Sequence, residues 1–458
     1  MKFDFGIVNK VHMIGIGGVS MSGIAKILQY FEVQVTGSTN DDSKAIQDLI
    51  KSGIPVGIGH DKNLVKEQDL VIYTPAIKDT NEELLEAKRL NIPCMERAVF
   101  LGELMKKYKE TICISGTHGK TTTTSMVAIC FLEAGLEPTI QVGADLKQIN
   151  GNYHVGNNEY FIVEACEYVE SFLHFYPNSE IILNIDNDHL DYFKTFDNVK
   201  LAFKKFAKLI PKDGKLVLNA DDIECLKLTD CTNAQIMTYG LKTLEADFTA
   251  RNISYNDNGF AKFDAYFKNE YYITVNLSVP GEHNVSNALA CIALCHMYGL
   301  TKESMMSGLK KFTGANRRFE YIGKCNGATI YDDYAHHPTE ILATSKAMQK
   351  KKYNESWVIF QSHTYSRTFN LLDEFVEVLM EFDNIILSDI YAAREENIYN
   401  VSPQDIVNQL IARGKKALYI GKYEDIAEYL KQHIKENDLV LTMGAGPVVE
   451  VAEMIVEK

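Results

Sequence analysis

The chain has no C-x-x-C pair: its nine cysteines are odd in number and scattered, which speaks against a disulfide framework and a zinc site and for reduced thiols. It is poor in positive charge. Lys and Arg total 47 against 61 Asp and Glu, a formal net charge of −14, which argues against a nucleic-acid-binding surface. Long apolar runs are missing too. The longest, Ala288 to Leu300, contains His296 and Gly299 and falls short of the ~18 residues that a membrane span needs. The start carries Lys2 and Asp4 and reaches Gly15 without room for a secretory apolar segment. The expectation is a cytoplasmic protein with no membrane and no nucleic-acid partner. An anionic ligand must then be held by local devices, namely helix N-termini, a few Arg and Lys, and metal ions.

What is present is the composition of an ordinary globular protein, 46% hydrophobic and 24% charged. At 458 residues the chain exceeds one core, so about two or three domains are expected. From Val11 to about Tyr108 short apolar runs (Val11 to Ile14, Val33 to Thr36, Ile54 to Ile58, Leu70 to Tyr73) alternate with helical segments, the rhythm of a parallel sheet with crossover helices. A charged bridge, Lys106 to Glu110, marks a first boundary. The rhythm resumes with strands at Phe161 to Val163, Ile181 to Ile185 and Leu216 to Leu218. Shorter alternating strands between Asp247 and Val279, with a turn at Asn256 to Gly259, predict an antiparallel insertion or edge. Helices over Asn284 to Tyr298 and Lys302 to Phe312 precede a second boundary near Thr313-Gly314. Strands at Trp357 to Gln361, Ile385 to Leu387, Ala417 to Ile420 and Leu439 to Thr442 follow, each with a helix after it. The domains are therefore 1–109, 110–313 and 314–458.

The most informative segment is Gly116-Thr117-His118-Gly119-Lys120-Thr121-Thr122-Thr123-Thr124, directly after the apolar run Ile112 to Ile114. A strand breaks at glycines and a helix opens on a lysine and hydroxyls. Freed backbone N–H groups can face a phosphate, Lys120 adds a point charge, and the Thr121 hydroxyl can hold Mg²⁺. The usual G-x-x-x-x-G-K-[ST] spacing asks for glycine at 114, where Ile114 stands, so the loop is a variant. Four threonines are poor helix formers, which points to a use for their hydroxyls; a capped strand-to-helix turn is the plain alternative. A second glycine turn, Gly15-Ile16-Gly17-Gly18, suits a diphosphate. It lacks the full G-x-G-x-x-G, and Ser38-Thr39 supplies no acid, so a ligand such as a UDP-sugar fits better than a nicotinamide cofactor.

Acids and histidines gather at strand ends. Glu164 and Glu167 follow one strand, and Asn184-Ile185-Asp186-Asn187-Asp188-His189-Leu190-Asp191 another, where ligands bind in open α/β sheets. Oxygen ligands there suit Mg²⁺. Beyond the second boundary come Arg317-Arg318-Phe319, then Asp332-Asp333-Tyr334-Ala335-His336-His337-Pro338-Thr339-Glu340, and Gln361 to Arg367. Arg367 can pair with a carboxylate.

In that order, together with Gly281-Glu282-His283-Asn284 and Asn287, these segments resemble the Mur ligases over nearly the whole chain. The resemblance implies an α/β protein of three domains: an N-terminal Rossmann-like parallel sheet for a UDP-sugar, a central P-loop ATPase domain and a C-terminal Rossmann-like domain. It implies ATP and Mg²⁺ as cofactors and ligation of L-alanine to the lactyl carboxylate of UDP-N-acetylmuramate through an acyl phosphate, by a monomer or weak homodimer. ATP would meet Gly116, Thr117, His118, Gly119, Lys120, Thr121 and Thr122, with Asn284 and Asn287 on the adenine side, Arg318 on a phosphate and Asp333 on the ribose. Thr121 and Glu164 would hold one metal and His189 a second. Gly15, Gly17, Gly18, Ser38, His60 and Arg97 would take the nucleotide sugar, and Tyr334, His336, His363 and Arg367 the alanine. Lys120, His189 and Arg367 are the catalytic candidates; the acceptor of the amine proton is His189, His336 or metal-bound water. Relatives commonly have Ser-Asp where Ser38-Thr39 stands and often Arg at Thr364. The rival readings are a tripeptide-recycling ligase of the same family, a UDP-sugar-binding regulator, and an oxidoreductase using the first glycine turn.

Overall fold

In the computed structural model residues 8–40, 44–393 and 395–456 are described, so Lys2 and Asp4 lie outside the described residues. The chain divides into two units, one of Met1–Ile185, Asp197–Tyr239 and Ala290–Gly308, the other of Asp186–Phe196, Gly240–Leu289 and Leu309–Lys458. Among the described residues no helix is long and apolar enough to cross a membrane.

The first unit opens with five parallel strands, β1 (Lys10–Ile14), β2 (Gln34–Thr39), β3 (Val56–Ile58), β4 (Leu70–Tyr73) and β5 (Cys94–Glu96), in the order β3-β2-β1-β4-β5. Helices α1 (Val19–Tyr30), α2 (Lys44–Lys51), α3 (Glu82–Arg89) and α4 (Arg97–Met105) alternate with them. This is the expected Rossmann-like sheet, with two differences. β2 runs on through Ser38 and Thr39, both buried, and β5, three half-buried residues, is too short to show a period in sequence.

The same unit continues with β6 (Glu110–Ser115), helix α5 (Lys120–Glu133), β7 (Thr139–Leu146), β8 (Gly151–His154), β9 (Tyr160–Glu164), β10 (Ser179–Ile182), β11 (Lys215–Asn219) and β12 (Gln235–Gly240). The order is β12-β11-β10-β6-β9-β7-β8, parallel except for β8. Ile112, Cys113 and Ile114 are fully buried on β6, as expected where helices cover both faces of a parallel sheet. β7 was missed although Ile140, Val142, Ala144 and Leu146 alternate with Gln141, Gly143 and Asp145 at the period of a strand. β10 ends at Ile182 rather than Ile185: beyond it Asn184 turns to the glycine–lysine loop, and Ile185 N–H donates to Asp222 Oδ2 (2.9 Å).

The second unit holds the antiparallel meander β13 (Phe248–Tyr255), β14 (Phe260–Phe267) and β15 (Glu270–Pro280). Its turn is held by Asn256, whose Oδ1 accepts from Asn258 and Phe260 N–H at 3.0 Å each. Six further strands, β16 (Glu320–Cys325), β17 (Ala328–Asp333), β18 (Ser356–Phe360), β19 (Asn384–Leu387), β20 (Lys416–Tyr419) and β21 (Leu439–Met443), form the sheet β16-β17-β21-β18-β19-β20, parallel but for β16. Apolar clusters around Phe360 and Phe375 and around Ile359 and Val440 form its core.

Candidate active site

The glycine–lysine loop joins β6 to α5. Gly119 caps the helix in the left-handed region (φ 86°, ψ −3°), a conformation that favours glycine. Asn184 clamps the loop: His118 N–H donates to its Oδ1 (2.7 Å), its Nδ2 donates to His118 O (2.9 Å), and Thr117 N–H donates to its carbonyl (3.1 Å). Lys120 Nζ donates to Gly116 O (2.6 Å), Thr117 O (3.0 Å) and both oxygens of Glu167 (3.1 and 2.9 Å). Burial opposes the lysine's charge, but Glu167 prevails and the ammonium is held more firmly than usual.

Of the four threonines, Thr121 alone bonds a carboxylate: its hydroxyl lies 3.2 and 3.0 Å from the oxygens of Glu164. Mg²⁺ in octahedral geometry at about 2.0–2.1 Å sets neighbouring ligand oxygens about 3 Å apart, so this pair fits a divalent ion. Gly143 N–H donates to Glu164 Oε2 (2.8 Å), and a Cβ at Gly143 would sit 2.6 Å from that oxygen. Thr122 is half-buried, Thr123 is packed away with its hydroxyl unpartnered, and Thr124 bonds back to Lys120 O (2.8 Å).

At the first glycine turn, Gly15 and Ile16 N–H donate to Ser38 O (2.8 and 3.0 Å). Gly18 precedes α1 without a side-chain cap, and Gly17 approaches Thr39 so closely that a Cβ would lie 3.0 Å from its hydroxyl. Arg97 Nη1 donates to Ser20 Oγ (3.0 Å). His60 stands beside Ser38 (Nδ1 to Oγ, 3.2 Å). Behind both lies Glu83, which sequence reasoning missed.

In the second unit the remaining residues converge. His189 is left-handed (φ 56°, ψ 36°) at the start of the short helix Leu190–Phe193, and its N–H donates to Asp188 Oδ1 (2.7 Å). Asp188 also accepts from Arg367 Nη2 (2.7 Å) and Nε (3.3 Å). With side chains 9% and 8% exposed, this is a buried pair and no surface salt bridge. Burial would raise the Asp188 carboxyl, but Arg367 and three nearby histidines hold it well below its usual range. Arg367 Nη1 donates to His363 Nδ1 (2.8 Å), which leaves the His363 proton on Nε2. His336 is the opposite case: Nδ1 donates to Tyr334 O (3.0 Å), and Nε2 carries the lone pair. Burial lowers both rings, His336 to about 4 and His363 to about 3, the latter also beside His336 and Arg367.

Tyr334 lies under Arg317 and Arg318, each 5.2 Å from its ring. Asp333 is buried; its oxygens accept from Ala335 N–H (2.8 Å), Phe319 N–H (3.1 Å) and Thr344 Oγ1 (3.0 Å), and burial raises its carboxyl to about 6. Asn284 Nδ2 donates to Pro280 O (2.7 Å), and Asn287 Nδ2 to Asn284 Oδ1 (3.2 Å). Thr364, where relatives were expected to carry Arg, has φ 66°, a costly conformation for a β-branched residue.

Three sequence models match in succession: Mur ligase family, catalytic domain, over residues 10–109; Mur ligase middle domain over 114–295; and Mur ligase, glutamate ligase domain, over 317–446. UDP-N-acetylmuramate–L-alanine ligases of Clostridium kluyveri and Acetivibrio thermocellus are 48% and 46% identical, covering 99% and 98% of this chain and 99% and 95% of theirs. The UDP-N-acetylmuramate-alanine ligase of Thermotoga maritima superposes with a TM-score of 0.84 at 30% identity, over 97% of this chain and 98% of that one. A murein peptide ligase of Psychrobacter arcticus shares the fold, with a TM-score of 0.74 at 23% identity over 97% and 98%. The chain belongs to the Mur ligase family.

Proposed function

We propose that this protein joins L-alanine to the lactyl carboxylate of UDP-N-acetylmuramate in the cytoplasm, converting ATP to ADP and phosphate, the first peptide step of peptidoglycan synthesis. The observation that carries the chemistry is the Thr121–Glu164 oxygen pair at the head of a lysine-bearing phosphate loop. The substrates follow from the likeness to alanine ligases along nearly the full chain. Residues 1–109 would take the nucleotide sugar, 110–313 the ATP and 314–458 the amino acid.

A carboxylate is a poor acyl donor, because an oxide would have to leave, so the lactyl oxygen first attacks the γ-phosphate to give an acyl phosphate and ADP. Both reactants are anions, and Lys120 with the loop N–H groups offsets their repulsion. Mg²⁺, held by Thr121 and Glu164 with His189 assigned to a second ion, would add charge neutralisation and in-line positioning. The alanine amine then attacks the acyl carbon and phosphate leaves. His336 is the base by geometry, since its Nε2 is open to the proton released as the C–N bond forms, while burial keeps it a weak base until a neighbouring negative charge supports the imidazolium. His363, with its proton on Nε2, and Arg367 suit the alanine carboxylate. Asn284 and Asn287 are assigned to adenine, Arg318 to a phosphate and Asp333 to the ribose side.

Phosphate release from ATP, with UDP-N-acetylmuramate and Mg²⁺ and with L-Ala, Gly, L-Ser, D-Glu or tripeptide added singly, tests this. L-Ala gives the highest turnover, and Lys120→Ala abolishes it with unchanged circular dichroism. Tripeptide turnover equal to or above that with L-Ala rejects the substrate; a near-normal Lys120→Ala rejects the loop.

A further inference from the structure

Four donors converge on one carboxylate beneath the first sheet. Glu83, on α3 and fully buried, accepts from His12 Nε2 on β1 (2.7 Å), Ser38 Oγ on β2 (2.7 Å), His60 Nδ1 beyond β3 (2.8 Å) and Asp61 N–H (3.2 Å). The other ring nitrogen of His12 lies 2.9 Å from Thr36 Oγ1. Burial disfavours the ionised acid, yet hydrogen bonds from His12, Ser38 and His60 overcome it and hold the carboxyl below its usual range. An apolar core would be as stable or more so, so stability alone does not account for a polar one here. His60 is 19% exposed, against 1% for His12 and 0% for Ser38. It follows Gly59, whose N–H donates to Thr39 O (2.7 Å), and Ser38 O takes the N–H groups of the first glycine turn. The network therefore surfaces at the carboxyl ends of β1 to β3, where open sheets bind ligands.

The proton count fixes the ring. Ser38 has one hydroxyl proton, and it goes to Glu83 Oε2. The 3.2 Å contact of Ser38 Oγ with His60 Nδ1 then requires the proton on Nδ1, as does the bond to Glu83. We propose that Glu83 is a positioning residue that locks His60 with its proton on Nδ1, so that Nε2 accepts a hydrogen bond from an N–H or O–H of the nucleoside half of the nucleotide sugar. This rests on the nucleotide-sugar reading of residues 1–109 given above.

In ¹⁵N-histidine-labelled enzyme at about pH 8, above the ordinary histidine range, the His60 resonances, assigned by their loss in His60→Ala, report a neutral ring protonated on Nδ1. A ring protonated on Nε2, or on both nitrogens, overturns the proposal whatever the enzyme turns over. Kinetically, Glu83→Gln raises KM for UDP-N-acetylmuramate about tenfold or more, as loss of an orienting partner does, while KM for ATP and alanine and kcat stay within about twofold. The same substitution adds nothing in a His60→Ala background. Equal losses for all three substrates, or additive effects in the double variant, make Glu83 merely structural. Absence of any turnover by the unsubstituted enzyme would sink the functional reading instead, and the resonances would still decide the ring.

Discussion

Arg367 commits its donors to Asp188 and His363, so a substitution there does two things. Arg367→Ala raises the alanine requirement with ATP affinity little changed, and it leaves Asp188 buried and unpaired, which costs about 3–5 kcal/mol. The effects separate in Arg367→Gln/Asp188→Asn, where the charge is removed with its partner: stability in urea recovers and the alanine KM stays high. An alanine KM that never moves would take Arg367 out of the pocket.

Among the elements, β10 carries an anomaly. Glu180 is fully buried at the centre of a parallel sheet, with neither carboxyl oxygen hydrogen-bonded, and burial pushes its carboxyl well above the usual range. Its stability cost grows as pH rises above the ordinary carboxylate range, because the folded acid resists ionisation. Glu180→Leu raises the melting temperature at neutral pH, by about 1–3 kcal/mol in stability; an unchanged or lowered melt would show that the carboxyl has a hidden partner. The elements themselves were largely legible. The β6 run, the glycines at 116 and 119 and the alternation along β15 follow local rules of burial and turn geometry. What stayed hidden were partners distant in sequence: Asn184 with His118, Asp188 with Arg367, and Glu83 with His12. No spacing rule pairs residues that far apart. The threonine run misled in part, because Thr123 and Thr124 serve a helix buried on most sides rather than a ligand.

For the molecule as a whole, pH response is set by buried histidines. His283 and His336 are lowered to about 4 and His363 to about 3, chiefly by burial, with Arg318 facing His283 and Arg367 facing the other two. The unfolded chain binds more protons between those values and the ordinary histidine range of about 6.5, so stability falls as pH drops through that window. Asp333, raised to about 6, and the buried Glu180 and Asp332, also raised, work the other way, whereas Asp188 and Glu83, held low by their partners, add to the fall on the acid side. Thermal melts from neutral to mildly acid pH show the fall, and His336→Gln makes it shallower; a flat profile would contradict the buried neutral rings. The same economy of charge governs the phosphate loop. With all three ammonium protons of Lys120 spoken for by Gly116, Thr117 and Glu167, an incoming anion has to displace a latch instead of filling a vacancy. A lone inorganic phosphate offers little in exchange, whereas a long polyphosphate chain can replace each broken contact. On the proposed reading of this loop, the resting lysine would discriminate against the cell's abundant small anions.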